Sequence, residues 1–196
     1  GEGGAFSTND NDLAEKVRKL SLHGITRDGW SRFKDYGKWE YDIVELGFKY
    51  NMTDISASIG LWQFRHLNKW QEKRETVIKQ YCEGLNDIKG IQLPKIYDGH
   101  AKHLFVINLN LDCWKISRNS FIDKMNKKGI GLAVHYKPIH QLSYYKKKYD
   151  FSENNFPCAN KLFKKVISLP LYPDLSLNEI NYIIKTIKEL YDRFSI

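Results

Sequence analysis

Lys49 and Asn51 are the residues whose types and spacing most directly suggest chemistry. They lie in Glu45-Leu46-Gly47-Phe48-Lys49-Tyr50-Asn51-Met52-Thr53-Asp54-Ile55, which reads as a glycine, an extended aromatic run and then the start of a helix. In extended backbone alternate residues share a side, so a cation and an amide donor stand together just ahead of that helix. The Thr53 hydroxyl can cap the first free N–H groups, and Asp54 suits the positive end of the helix dipole. Such a junction can seat a phosphate, which takes charge from the lysine and hydrogen bonds from the amide and the helix terminus. An ordinary helix start with a surface lysine has the same sequence, and the segment alone leaves both readings open.

A second group is His135-Tyr136-Lys137-Pro138-Ile139-His140. An imidazole and a phenol can hydrogen-bond hydroxyls and anionic oxygens, although a histidine on an apolar strand is also at home as a satisfied core residue. His100 and His103 flank a strand start, but no carboxylate or cysteine accompanies them at ligand spacing, so a metal site is not expected. Cys82, Cys113 and Cys158 are far apart and odd in number, which argues against a disulfide framework or a zinc site; they read as reduced packing residues. Tyr144-Tyr145-Lys146-Lys147-Lys148-Tyr149 combines bases with aromatics, as single-strand nucleic-acid binders do and as solvated helix ends also do.

The elements that must position these groups belong to a globular chain. Its 196 residues are 42% apolar and 14% aromatic, enough for a sizeable core. A net charge of +8 favours anionic partners without naming them. No run of about 18 apolar residues and no charged-then-apolar leader is present, so neither a membrane span nor a signal peptide is expected, and the setting implied is cytoplasmic. The sequence opens on Gly1-Glu2-Gly3-Gly4 with no initiator methionine.

Gly4 to Thr8 alternates like a strand, which needs neighbours to pair with, and sequence upstream of Gly1 is the expected source. Asp12 to His23 then reads as a helix stopped by Gly24. Residues 25 to 45 are aromatic and charged without helical period and read as a long excursion. Ile55, Ile59, Trp62, Leu67, Trp70, Val77, Tyr81 and Leu85 predict one continuous helix from Thr53 to about Asn86, long enough to bridge two domains or cross a dimer. Ile88 to Gly99 reads as a connector. Beyond it come a strand at His103–Leu109, a helix at Ser117–Lys128, a second strand at Ile130–Tyr136, a helix at Ala159–Val166 and a short strand at Ser168–Pro173. A final helix opens on the capping box Ser176-x-x-Glu179, and Leu177, Ile180, Ile184, Ile187, Tyr191 and Phe194 stripe one of its faces. The fold class is α/β.

The order of Gly1-Glu2-Gly3-Gly4-Ala5, Thr8-Asn9-Asp10, His23-Gly24, Gly47 to Ile55, His103-Leu104-Phe105-Val106, Gly129-Ile130-Gly131 with Val134-His135-Tyr136, and Ser168-Leu169-Pro170-Leu171-Tyr172-Pro173 resembles the DegT/DnrJ/StrS family of pyridoxal-phosphate (PLP) sugar aminotransferases. The resemblance covers the C-terminal half of a family member. It implies a fold-type I aminotransferase in which residues 1–52 are the end of the large domain with its dimer loop, 53–87 the inter-domain helix, and 88–196 the complete small α/β domain. The family's Schiff-base lysine lies a few residues before the Gly-Glu-Gly-Gly element, so the resemblance puts it upstream of Gly1 and implies no catalytic residue of that kind within the chain. The family's phosphate-binding asparagine reaches across the dimer and stands either two or four residues after the glycine. Here Lys49 holds the first position and Asn51 the second, so Asn51 is the implied phosphate ligand and Lys49 a neighbouring charge.

By the same resemblance His135, Tyr136 and His140 face the sugar substrate. The implied reaction moves an amino group, from a donor such as glutamate, to a nucleotide-linked keto-6-deoxy sugar in polysaccharide or glycan biosynthesis. The implied assembly is a homodimer with no nucleic-acid or membrane partner, and the isolated chain is expected to be inactive. Two alternatives stand beside this: a non-catalytic dimerisation or interaction fragment, and a basic nucleic-acid-binding domain.

Overall fold

A computed structural model describes residues 1–26 and 41–196. Most of the expected excursion at 25 to 45 therefore lies outside the described residues. The chain divides into two units, Gly1–Leu67 and Asn68–Ile196.

In the first unit Asp10 caps helix α1 (Asn11–Ser21), its carboxylate accepting from the Leu13 N–H at 3.0 Å. The helix stops where predicted to within two residues: Gly24, at a φ of 69°, donates its N–H back to the Lys19 carbonyl at 2.8 Å. The expected strand at Gly4–Thr8 is not formed, and residues 1–8 carry no regular structure. A strand exists only as half of a ladder, and no partner lies beside this segment among the described residues.

Helix α2 (Asp54–Arg65) is followed by helix α3 (Leu67–Leu85), so the single helix predicted from Thr53 is interrupted at His66. His66 leaves the helical path, with φ −103° and ψ 5°, and its N–H turns to the Gln63 and Phe64 carbonyls. The Trp62 carbonyl that this N–H would have met is held instead by His66 Nδ1 at 2.8 Å. A side chain inserted into the ladder is a sufficient cause for a break.

The second unit contains a three-stranded antiparallel sheet in the order β1 (Ile91–Gln92), β2 (Phe105–Leu109), β3 (Val166–Leu169). The helices α4 (Arg118–Asn126), α5 (Ser143–Tyr149), α6 (Pro157–Phe163) and α7 (Leu177–Phe194) complete it. Strand β1 falls inside the predicted connector, where two residues are too few to leave a periodic signal. Strand β2 alternates as a half-buried strand should, turning Phe105, Ile107 and Leu109 inward. These pack in one cluster with Tyr81 and Leu85 of α3, Phe121 and Met125 of α4, and Ile180 and Ile187 of α7. The predicted capping box is present, with Ser176 Oγ accepting from the Glu179 N–H and the Glu179 carboxylate accepting from the Ser176 N–H.

The second strand predicted at Ile130–Tyr136 is reduced to a single bridge, Ala133 with Ser168. On a four-residue strand only alternate residues offer backbone groups to the outer edge. Ser168 uses its pair on Ala133, and the next such carbonyl, that of Val166, accepts from Arg118 Nη1 at 3.2 Å. The buried guanidinium thus occupies the position where a ladder would have continued.

Candidate functional site

In the first unit the residues singled out are presented by a short backbone zipper. The Phe48 N–H donates to the Leu20 carbonyl at 2.7 Å, the His23 N–H to the Phe48 carbonyl at 2.7 Å, and the Tyr50 N–H to the Ser21 carbonyl at 2.8 Å. Two glycines permit this approach. A Cβ on Gly47 would stand 2.1 Å from the Gly24 nitrogen, and one on Gly24 would stand 1.9 Å from the Glu45 carbonyl oxygen. The segment is therefore fixed onto the end of α1 by main chain against main chain.

Held this way, residues 48 to 51 alternate. Phe48 and Tyr50 stack on each other with ring centroids 4.9 Å apart. Lys49 and Asn51 meet, and the lysine ammonium donates to Asn51 Oδ1. An ammonium has no acceptor, so the amide oxygen must face it, which leaves the NH2 end of Asn51 as its outward donor. Immediately beyond, Thr53 Oγ1 accepts from the Ser56 N–H at 3.3 Å at the start of α2. A cation, an amide donor and a helix N-terminus in a row match the needs of a phosphate dianion. The donor set fits a phosphate-bearing cofactor.

In the second unit His135 Nδ1 and Ser168 Oγ are 2.8 Å apart, and the Tyr136 ring stands edge-on to the imidazole at 4.7 Å. Tyr136 is 77% exposed and His135 half-buried, so a phenol projects from an anchored imidazole. His140, the third residue of the group, is 6% exposed. Its Nε2 is 2.7 Å from Asn160 Oδ1, which also accepts from Gln141 Nε2 at 2.6 Å, and its ring stacks on Phe156 at 4.5 Å. Because the amide oxygen only accepts, Nε2 carries the proton. These contacts hold the turn at Ile139–Gln141 from the inside.

Ser168 and Asn160 were given no role by sequence reasoning. A signal for Ser168 existed, as the only hydroxyl in the buried run Val166-Ile167-Ser168-Leu169; Asn160 had none, since its partners lie about twenty residues away. Cys158 is exposed, unlike a packing residue, because its place at the start of α6 faces outward; no disulfide joins the three cysteines. His100 Nδ1 accepts from the Lys102 N–H at 2.9 Å. Among the described residues no three His, Cys, Asp or Glu side chains gather as metal ligands, and no helix is long and apolar enough to cross a membrane.

The sequence model of the DegT/DnrJ/EryC1/StrS aminotransferase family matches residues 1–188. The chain belongs to this family. Among family relatives, an uncharacterized protein of Methanocaldococcus jannaschii is 38% identical over 97% of this chain and 50% of its own length. The spore coat polysaccharide biosynthesis protein SpsC of Bacillus subtilis is 35% identical over 97% and 50%. The chain thus spans about half the length of the curated relatives it matches.

In structure, the PMP-form of Spr1654 from Streptococcus pneumoniae, a protein provisionally assigned as a sugar aminotransferase, superposes with a TM-score of 0.83 at 33% identity, covering 95% of this chain and 46% of that one. Spr1654 has also been solved in a PLP-form. PseC of Helicobacter pylori, an aminotransferase of pseudoaminic acid biosynthesis, shares the fold at TM-score 0.83 and 24% identity, over 95% of this chain and 48% of its own. The expected α/β class and the PLP-aminotransferase fold are those of these neighbours.

Proposed function

We propose that this chain is the C-terminal portion of a PLP-dependent sugar aminotransferase, comprising the end of the large domain (1–52), the inter-domain helix (53–87) and the small domain (88–196). The observation carrying this reading is the Lys49–Asn51 pair, set at the start of α2 by the Gly24–Gly47 contact in a chain of the DegT/DnrJ/EryC1/StrS family. When bound, PLP supplies the capacity to carry an amino group from a donor to a keto acceptor. In this reading Asn51 donates its NH2 to the cofactor phosphate and Lys49 adds the charge, holding the ring in place while the acceptor docks.

The acceptor we propose is a nucleotide-linked keto-6-deoxy sugar, the donor glutamate, and the pathway polysaccharide or glycan synthesis. The net charge of +8 favours a diphosphate-bearing substrate. Tyr136 would reach its hydroxyl or phosphate oxygens, with His135 held against Ser168 behind it and His140 fixing the turn that follows. A homodimer is supported by α2, none of whose residues is buried although Ile55, Ile59, Leu61, Trp62 and Phe64 lie on several of its sides. So many large apolar side chains exposed on one helix mark a surface for another protein element to cover. A cleft of about 570 Å³ bounded by residues 1–5 and by Ile59, Leu61 and Phe64 marks one place for cover. The same observation favours the second reading, a non-catalytic interaction fragment.

Substituting Asn51→Ala in the full-length protein tests the assignment. A hydrogen bond to a charged acceptor contributes about 1.5–3 kcal/mol, so PLP retention followed by absorbance after dialysis is expected to weaken roughly tenfold to a hundredfold. Unchanged retention would remove Asn51 from the phosphate site.

A further inference from the structure

A cleft of about 310 Å³ in the second unit takes no part in the proposed reaction. Three stretches of chain bound it: Gly129 to Gly131 after α4, Pro170 to Leu175 between β3 and α7, and the first two turns of α7. On α7 the lining residues are Glu179, Tyr182 and Ile183, whose spacing of three and four puts them on one face. Ile183, Leu175 and Ile130 are buried and give the cleft an apolar floor, while Tyr172 and Tyr182 are 45% and 48% exposed at its rim. A Cβ on Gly129 or on Gly131 would meet no atom within 4 Å, so the two glycines leave space that protein does not fill.

The charge of this cleft runs against that of the whole chain. The net charge is +8, yet Glu179 is the one charged side chain in the lining. One oxygen of its carboxylate, Oε2, serves the capping box, accepting from the Ser176 N–H at 2.8 Å and from the Ser176 hydroxyl at 2.7 Å. Among the described residues Oε1 accepts no hydrogen bond, and no lysine or arginine pairs with the carboxylate. The tyrosine rings are equally unengaged. Tyr182 is held at its hydroxyl, which donates to the Lys128 carbonyl at 3.0 Å. Among the described residues neither its ring nor that of Tyr172 stacks on another ring or lies under a cation. Aromatic faces attract cations, a carboxylate oxygen adds opposite charge, and an apolar floor takes alkyl groups. An anion would meet the carboxylate and no compensating cation. The volume lies near the lower end of the range for small-molecule sites, which sets the size of the ligand.

We propose that this cleft binds a small organic ammonium ion, with its charge at Glu179 and the tyrosine rings and its alkyl groups on Leu175 and Ile183. The site stands apart from the proposed transamination and does not depend on it. Calorimetric titration of the full-length protein with choline and with dimethylbutanol, the isostere in which carbon replaces the charged nitrogen, tests the assignment. A quaternary ammonium cannot condense with an aldehyde, so its binding is read independently of any cofactor. Choline is expected to bind roughly fivefold more tightly than dimethylbutanol. Glu179→Gln should weaken choline about fivefold and leave dimethylbutanol unchanged, and glutamine still completes the capping box at the start of α7. Tyr172→Leu should weaken choline roughly twofold to fivefold. Gly131→Leu, which places a side chain in the open space, should abolish the binding of both. An unaltered far-UV spectrum and urea midpoint confirm the fold of each variant.

Equal affinity for choline and dimethylbutanol overturns the proposal, since the cleft would then read shape without charge. Choline binding that ignores Glu179→Gln and Tyr172→Leu, or that survives Gly131→Leu, places the cation elsewhere on the protein and overturns it too. So does the absence of choline binding at millimolar concentration.

Discussion

The two units of this chain solve the folding problem differently. Among the described residues of the first, no hydrophobic side chain is buried, and its definite contacts are backbone hydrogen bonds between residues 20–26 and 42–50. The second buries an apolar cluster shared by α3, the sheet, α4 and α7. One is held by main-chain complementarity around two glycines, the other by apolar burial. Stability in the second unit is therefore internal, while the first presents Ile55, Phe64, Phe48 and Tyr50 to whatever covers them. The candidate cofactor-binding pair, Lys49 and Asn51, sits on the unit in which no described hydrophobic side chain is buried.

Substitutions can break this contrast. The largest effect is expected from Phe121→Ala, which removes a ring fully buried in the second unit and edge-on to Trp114 at 5.3 Å. A loss of about 3–5 kcal/mol in urea denaturation is expected, against less than about 0.5 kcal/mol for Ile59→Ala on α2 in the same isolated chain. Comparable losses at both positions would show that the first unit has an internal core after all. If the full-length protein covers α2, the Ile59→Ala cost should rise there.

An intermediate effect is expected from Gly47→Ala, whose added methyl meets backbone rather than a yielding side chain. Overpacking of this kind costs about 1–3 kcal/mol. Hydrogen-exchange protection of the Phe48 and Tyr50 amides should fall while that of β2 is unchanged. Protection retained at Phe48 would mean that the zipper does not depend on the close glycine contact.

The smallest effect is an acid response confined to the second unit. A hydrogen bond from Lys73 holds the Asp174 carboxyl below the usual carboxylate range, one from Lys188 does the same for Asp87, and hydrogen bonds from the Ser176 hydroxyl and N–H do so for Glu179. A folded pKa below the unfolded one contributes stability that is present above the unfolded pKa and is lost as pH falls through the folded value. Acidification from neutrality to below the carboxylate range should lower the urea midpoint of the second unit slightly, since all three groups are exposed. Asp174→Asn should remove part of that dependence; an identical pH profile in the variant would dismiss the Lys73 pair as a contributor.

The sequence by itself determined the features written in neighbouring residues. Asp10, Thr53, Ser117 and Ser176 cap helices because a hydroxyl or carboxylate there meets an N–H two or three positions on. Gly24 ends α1 because only glycine adopts its backbone angle without strain, and Lys49 meets Asn51 because extended chain repeats every two residues. Only the tertiary structure decided the rest. His66 interrupts a helix through a competing bond to Trp62, Arg118 occupies the edge on which Ile130–Tyr136 would have formed a ladder, and Asn160 turns His140 inward from twenty residues away. For Arg118 and His140 the winning partner lies 48 and 20 residues away and is fixed by where the folded chain brings it, whereas the His66 bond to Trp62 is a competition within one helical turn that periodicity alone does not resolve.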